Sequence, residues 1–403
     1  MKSNLIVIGG GAAGFFGAIN YAENNPNSEI IILEKSDKVL RKVKISGGGR
    51  CNVTNAISDP FELSKFYPRG GKELISAFNK FTSSDTIKWF EDKGVKLKTE
   101  NDNRVFPVTD NSQTIIDCFL NEASKLNIKI LKKINAQKFE RTENNNWKII
   151  TENDEIFETE KLLIASGSSE KIWKILNDIG HSIVDPIPSL FTFNIKDKRL
   201  IDLAGISVPY VEIKINEINF KAAGPLLITH WGLSGPVVLK LSAWAARELH
   251  KKNYNFKIEI NFALEFNSGQ MLNKLLKIKN ELASKNISSG SLFNIPLRFW
   301  EKIIDHSGIN SSIKWNNLSK KNLQILADEL TNSKFNVTGK STFKEEFVTS
   351  GGVSLKEIDF KTMQSKILPN IYFAGEVIDI DGITGGFNFQ SAWTTAWIAA
   401  NSM

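Results

Sequence analysis

Four apolar residues, Leu5-Ile-Val-Ile8, open directly onto Gly9-Gly-Gly-Ala-Ala-Gly14. Such a run is typical of a parallel strand buried on both faces. Gly9, Gly11 and Gly14 stand in G-x-G-x-x-G spacing. In that pattern one glycine makes the tight turn, one lets backbone approach a pyrophosphate, and one lets helix and strand pack closely. Phe15 to Glu23 then carries apolar residues at helical spacing, and Ile30-Ile-Ile-Leu33 forms a second buried run ending at Glu34. The order is strand, glycine turn, helix, strand. Glu34 lies twenty residues past Gly14, where a carboxylate hydrogen-bonds ribose hydroxyls. This is a dinucleotide-binding βαβ unit, with the helix N-terminus aimed at the phosphates. An acidic Glu34 disfavours a 2′-phosphate, so NADP is not expected here.

The C-terminus chooses among the remaining dinucleotides. Ile371-Tyr-Phe-Ala374 reads as a strand that ends in Gly375-Glu376, and Gly385-Gly-Phe-Asn-Phe-Gln390 opens a last helix. A two-dinucleotide-fold flavoprotein uses such a strand end for the ribityl chain and such a helix start for the flavin ring. The cofactor expected is therefore FAD. Asp379 and Asp381 are placed either to bind ribityl hydroxyls or to cap the next turn. Gly47, Gly48 and Gly49 remove side chains and can offer backbone N–H groups to the flavin edge. Arg50 can offset charge on reduced flavin. The chain holds one glycine fingerprint only, so NADH or NADPH is expected as a transient electron donor without a Rossmann domain of its own.

Between these ends the pattern changes. Residues 71–94 and 114–123 read as helical, and 134–164 as a meander ending in the buried run Leu162-Leu-Ile-Ala165. From about Pro186 short alternating segments suggest a β-rich, barrel-like insert; later Leu272, Leu275, Leu276, Leu323, Leu326 and Leu330 mark helices. The expected fold is α/β: a split Rossmann-like FAD-binding domain over 1–189 and 348–403. Its inserts are a β-rich part (190–265 and 336–347) and a helical part (266–335).

The 403 residues are ample for more than one core. Net charge is +7, compatible with RNA or another anionic partner and equally with a Lys-, Asn- and Ile-rich genome. Cys51 and Cys118 are too few for a disulfide framework and no zinc spacing occurs, so no metal is expected and a reducing cytoplasm fits. Leu226 to Ala246 is apolar but contains His230 and Lys240, a poor membrane span.

Ser46-Gly-Gly-Gly-Arg-Cys-Asn-Val-Thr-Asn55 is the most specific segment. With Gly9–Gly14, Leu162–Gly167 and Gly375–Gln390 it closely resembles the BaiN/RdsA (YhiN-like) family of FAD-dependent oxidoreductases, over nearly the whole chain. The resemblance implies bound FAD and a reductase transferring hydride to an activated C=C. Members reduce either a uridine of large-subunit ribosomal RNA to dihydrouridine or conjugated steroid enones, and an older family label is amine oxidase. It also implies cofactor contacts at Ala13, Gly14, Glu34, Leu40, Arg41, Gly47 to Asn52, Ala136, Gly375, Glu376, Asn388 and Phe389. The same turns and strand ends place Gly9, Gly11, Lys35, Ala165, Gly167, Asp379, Gly386 and Phe387 in the cofactor-binding set. Ser168 departs from a second glycine common in the family.

For the proton that accompanies hydride transfer, Cys51 is a candidate donor beside the glycine loop, with loop packing as its plain alternative. His230, in Thr229-His-Trp-Gly-Leu-Ser234, is the other candidate, and Arg104 can steer an anionic substrate. RNA reductase, small-molecule enone reductase or amine oxidase, and non-enzymatic flavin-binding redox protein all stay open. The first is preferred.

Overall fold

The computed structural model describes residues 1–341 and 348–403. The chain forms two compact units, Met1–Ile187 with Lys344–Met403, and Pro188–Phe343. The part of the expected β-rich insert at 342–347 lies outside the described residues.

The first unit is built on a parallel sheet. Strand β1 (Lys2–Ile8) leads into helix α1 (Ala12–Asn24) and then β2 (Ile30–Glu34). Strand β3 (Lys129–Lys132) extends the sheet beyond β2. On the other side of β1 lie β4 (Ile156–Ile164) and β5 (Ile371–Phe373), also parallel. The order is β5-β4-β1-β2-β3. The chain therefore winds outward in one direction from β1 and later in the other. The gap beyond the carboxyl ends of β1 and β4 is the topological switch point, where open α/β sheets bind ligands. The hairpin Ala136–Arg141 with Trp147–Thr151 joins through β4, as the alternation in the sequence suggests.

Helix α2 (Phe387–Ala400) is apolar almost all round and buried along its length, as expected for a helix enclosed in a core. It packs on α1, where a side chain at Gly17 would lie 3.7 Å from Ala396 and 2.6 Å from Leu163 of β4. An aromatic cluster binds both chain ends together. Phe16 lies 4.5 Å from Trp89 and 5.1 Å from Trp393 between ring centroids, and Phe119 joins both tryptophans. Each such ring removes about 150–250 Å² from water, so the segments flanking the insert in sequence share one core.

The second unit carries a seven-stranded antiparallel sheet. Its two end strands, Ser333–Thr338 and Lys340–Ser341, are neighbours in sequence, with only Gly339 between them. The sheet thus curls back on itself in a barrel-like way. Helices Ser268–Glu281, Leu297–His306 and Lys320–Thr331 share one hydrophobic core with it. The helical segment closes at Thr331 rather than 335, because residues 333–338 alternate buried and exposed as a strand does. Among the described residues no helix is long and apolar enough to cross a membrane.

Candidate functional site

The turn after β1 sorts the glycines by what surrounds them. A Cβ at Gly14 would lie 2.0 Å from the Gly9 carbonyl oxygen, and one at Gly9, where φ is +112°, would lie 2.5 Å from the Ala165 oxygen. These two are glycine because protein backbone occupies the space. A Cβ at Gly11 would meet nothing within 4 Å. Its openness faces the start of α1, which no side chain caps and whose first turn holds no acidic residue. A helix start left in this state is a ready anion site.

Beside it is a cavity lined by Gly9, Glu34, Lys35, Ala136, Ser166 and Ser169 among others. Gly9, Glu34, Lys35 and Ala136, expected from sequence to serve one cofactor, thus come together. The Glu34 carboxylate is fixed from two sides. Oε2 accepts the Gly10 N–H at 2.8 Å, while Oε1 accepts the Ser36 N–H and hydroxyl, each at 2.8 Å. Oε2 keeps a second lone pair for a ribose hydroxyl.

The far end of the chain enters at Gly375 (φ +73°), where a Cβ would come within 3.0 Å of the Ala13 Cβ. Its N–H donates to Thr395 Oγ1 at 3.0 Å. Glu376 accepts the Thr349 N–H (2.9 Å) and pairs with Lys42 (2.5 Å). Gly167, also left-handed, lies 3.9 Å from a Glu376 oxygen measured from its ideal Cβ. Ala165 donates its N–H to Ile8. Leu40 is buried in a left-handed conformation with its N–H on the Gly10 carbonyl (2.8 Å), and Arg41 follows it, exposed.

Gly47, Gly48 and Gly49 have φ of +58°, +68° and +84°. Three successive left-handed residues require glycine. Ideal Cβ atoms at Gly48 and Gly49 face open space, so this loop is a bare backbone surface. Arg50 is not free to move far from it. It pairs with Glu100 (2.7 Å) and Asp110 (3.4 Å) and lies 3.9 Å over the Phe106 ring. Those carboxylates hold the guanidinium above its ordinary pKa, Glu100 most, while Lys98 and then Arg50 hold Asp110 below the usual carboxylate range. Arg104 is likewise paired, with Asp102 (2.7 Å) and Glu100 (3.2 Å).

Cys51 is fully covered by protein and has φ +61°. Burial pushes its thiol up to about 12, partly offset by a contact with Ser46. A proton donor has to reach its substrate. Covered on all sides, this thiol packs the loop instead. Asn52, with its amide oriented to satisfy both ends, donates to the Thr54 (2.9 Å) and Val105 (3.2 Å) carbonyls and accepts the Gly386 N–H (2.9 Å). Gly386 is left-handed, and a Cβ there would lie 2.5 Å from the Thr54 carbonyl. Phe387 stacks on Phe66 at 4.4 Å, Phe389 stacks on Trp393 at 5.4 Å, and Asn388 clasps Gly382 through two 2.8 Å hydrogen bonds. Asp379 is buried in the same region.

Several contributors carry no local signal. Arg69 forms a buried ion pair with Asp381, 312 residues away. Gln390 Oε1 accepts from Thr54 (2.6 Å) and Thr86 (2.9 Å), and its amide nitrogen donates to Thr394 (3.0 Å). His230 belongs to the other unit. It sits in the turn between strands Phe220–Thr229 and Gly232–Ser234, exposed beside Trp231, which is 60% exposed.

The open Gly11 position, the uncapped helix start, the cavity at Glu34 and the bare loop at Gly48–Gly49 together suit an elongated dinucleotide such as FAD. Its two ends would be served by the two ends of the chain.

Comparison with known proteins agrees with this architecture. A ribosomal RNA dihydrouridine synthase of Haemophilus influenzae is 29% identical, aligned over 100% of this chain and 98% of its own length. A 3-dehydro-bile acid delta(4,6)-reductase of Clostridium scindens is 21% identical over 98% of each chain. Among solved structures, a 3-ketosteroid-delta4-(5alpha)-dehydrogenase from Rhodococcus jostii RHA1 matches 99% of this chain and 97% of its own, with a TM-score of 0.52 at 11% identity, a likeness of fold. The model of the HI0933-like protein Rossmann domain matches residues 3–402, and the chain belongs to that family.

Proposed function

We propose that this protein is an FAD-dependent reductase that converts a uridine of large-subunit ribosomal RNA to dihydrouridine. The observation that carries this reading is the end-to-end alignment with a ribosomal RNA dihydrouridine synthase. The glycine-lined site supports the cofactor half of it. Bound FAD would supply hydride transfer between a nicotinamide donor and the C=C of the base. Gly11, Ala13 and Gly14 would offer backbone N–H groups to the pyrophosphate, and Gly9, whose own N–H donates to the Leu33 carbonyl, would make the turn beside it. Glu34, Lys35 and Ala136 hold the adenosine side. Leu40, Arg41, Gly47 to Arg50, Asn52, Ala165, Gly167, Gly375, Glu376, Asp379 and Gly386 to Phe389 line the ribityl and ring side. NADH or NADPH serves as the transient donor, since only one glycine fingerprint exists. His230, exposed in its turn, is the proton-donor candidate that remains once Cys51 is enclosed. Ribosomal RNA places the protein in the cytoplasm.

Mass spectrometry of large-subunit ribosomal RNA from a deletion strain tests this directly. Dihydrouridine should fall at one position and return on complementation. Unchanged dihydrouridine sinks the RNA reading. A second reading, reduction of small-molecule enones, is favoured by the bile acid reductase relative. Turnover of a steroid enone by RNA-free protein, with ribosomal RNA unaltered in the deletion strain, would establish it instead.

A further inference from the structure

The chain's positive charge is not spread evenly over its two units. Pro188–Phe343 holds 21 Lys and Arg against 12 Asp and Glu, a net of +9, whereas the remainder of the chain is at −2. The dinucleotide unit is therefore not the basic part of this protein.

Within the second unit the lysines gather at one place. Helices Ser268–Glu281 and Lys320–Thr331 pack antiparallel. At one end Gln324 donates to Ser268 (3.0 Å), and Ser268 bonds Asp328. At the other end Lys279 Nζ reaches the Leu318 carbonyl (2.6 Å). The intervening segments are tied to this second end. Trp315 N–H donates to Lys285 O (3.0 Å), Asn316 N–H to Ala283 O (3.2 Å), and Asn286 bridges Lys314. The consequence is that Lys277, Lys285, Lys314, Lys320 and Lys321, scattered over 45 positions of sequence, share one end of a helix pair. All five are exposed, and among the described residues none forms an ion pair. Residues 277–286 and 313–322 contain one carboxylate, Glu281. Exposed Asn280, Asn316 and Asn317 add neutral hydrogen-bonding groups. Elsewhere in the unit some basic residues are neutralised by carboxylates. Lys252 pairs with Glu217 (2.6 Å), and buried Arg199 with Asp197 (2.7 Å) and Glu329 (2.9 Å).

Five unneutralised ammonium groups around a neutral amide surface repel one another and hold a local counter-anion atmosphere. A polyanion with regularly spaced phosphates relieves that repulsion and releases its own condensed cations on binding. Lysine suits this task as a point charge that tracks a backbone without reading sequence. We propose that this lysine-bearing end of the helix pair is the RNA-docking surface of the protein, gripping the phosphate backbone of the substrate. The assignment rests on the RNA reading above and adds where the grip is.

The test uses the FAD-loaded full chain. Binding of a fluorescein-labelled RNA hairpin of mixed sequence is followed by anisotropy over a range of salt concentrations. The compared forms are wild type, the five-fold variant K277Q/K285Q/K314Q/K320Q/K321Q, and K251Q/K252Q as a control for charge loss elsewhere in the unit. All three should keep their flavin absorbance and unfolding temperature, since the changed side chains are exposed. With one phosphate per lysine, the slope of log K against log salt should fall in magnitude by roughly 3.5–4.5 in the five-fold variant. It should fall by less than about one in the control. A five-fold variant with the wild-type slope overturns the assignment while leaving RNA as substrate. Wild type that binds no RNA at any salt removes the RNA reading itself. Equal per-lysine losses in the two variants overturn the location, as does a five-fold variant that binds RNA normally but has lost affinity for vesicles of phosphatidylglycerol and phosphatidylcholine.

Discussion

At the scale of single residues, two glycines three positions apart make opposite predictions. A methyl group at Gly14 has nowhere to go, because it would sit 2.0 Å from a backbone oxygen of the adjoining turn. Gly14→Ala should destabilise the fold by several kcal/mol or yield insoluble protein, the cost of forcing backbone apart in a packed unit, by analogy with overpacking at about 1–3 kcal/mol or more. A methyl at Gly11 meets only open space, and the extended backbone there (φ −93°, ψ −168°) is open to any residue. Gly11→Ala should therefore fold with the unfolding temperature of the apoprotein unchanged yet purify with little flavin. Absorbance spectra and thermal melts of the two variants separate these outcomes. Equal flavin content in Gly11→Ala and wild type would show that nothing binds against that turn. Cys51 gives a second test at this scale. A general acid contributes about 10²–10⁴-fold in rate. An enclosed thiol that packs a loop contributes none of it, so Cys51→Ala should turn over within about two-fold of wild type, where loss of a donor would cost at least about a hundred-fold. Its ionisation follows the same logic. The folded thiol is held neutral up to about 12, while the unfolded one ionises from 9.0 upward. Stability from this group is complete below pH 9 and is lost as pH rises toward 12. Cys51→Ala should show a shallower alkaline decline in stability.

At the scale of elements, buried strands and glycine turns announce themselves locally, and those were legible. Leu5–Ile8 and Ile30–Leu33 are continuous apolar runs because strands covered on both faces need nothing else. The start of α2 was legible for a related reason, since Gly385-Gly386 precedes a helix that has no polar face. What joins these elements was not legible. The Arg69–Asp381 pair and the Gln390 network span 312 and 336 positions, and nothing in the neighbourhood of Tyr67-Pro-Arg69 or Gln390 marks the partner. Polar contacts of this kind follow from the fold and leave no periodicity. Asp381, read from sequence as a ribityl contact or a turn cap, is committed to Arg69 in the interior. Removing one partner of such a pair leaves an uncompensated buried charge, at a cost of about 3–5 kcal/mol. Asp381→Asn should lower stability by that order in denaturant unfolding. It should also loosen the flavin-side loop, seen as faster flavin loss on dilution. Unaltered stability would mean that water already screens the pair.

At the scale of the whole molecule, the separation of charge between the units is a statement about kinetics. A net charge of +7 read from composition looked equally like partner binding and like a Lys-rich genome. The lysine-rich character of the insert, at Lys251-Lys252, Lys277 to Lys279 and Lys320-Lys321, was legible in sequence, but the grouping of lysines in space was not, because they come from two helices and the links around them. Lys251-Lys252, as prominent in the sequence as Lys320-Lys321, is partly neutralised by Glu217, whereas among the described residues Lys320 and Lys321 form no ion pair. On the proposed function, a polyanion would meet a unit at +9 and a small nicotinamide donor would serve a unit at −2. The two half-reactions should respond differently to salt. Five phosphate contacts weaken binding by roughly 10²–10³-fold between about 50 and 200 mM salt, whereas a ligand with a few charges in a formed site loses far less. Below saturation, dihydrouridine formation on RNA should thus fall more than about ten-fold over that range. Bleaching of the flavin by NADH or NADPH in a stopped-flow instrument should change by less than about three-fold. If both half-reactions fall together, the sensitivity belongs to the dinucleotide unit or to the flavin, and the lysines of the inserted unit carry no special burden in substrate capture.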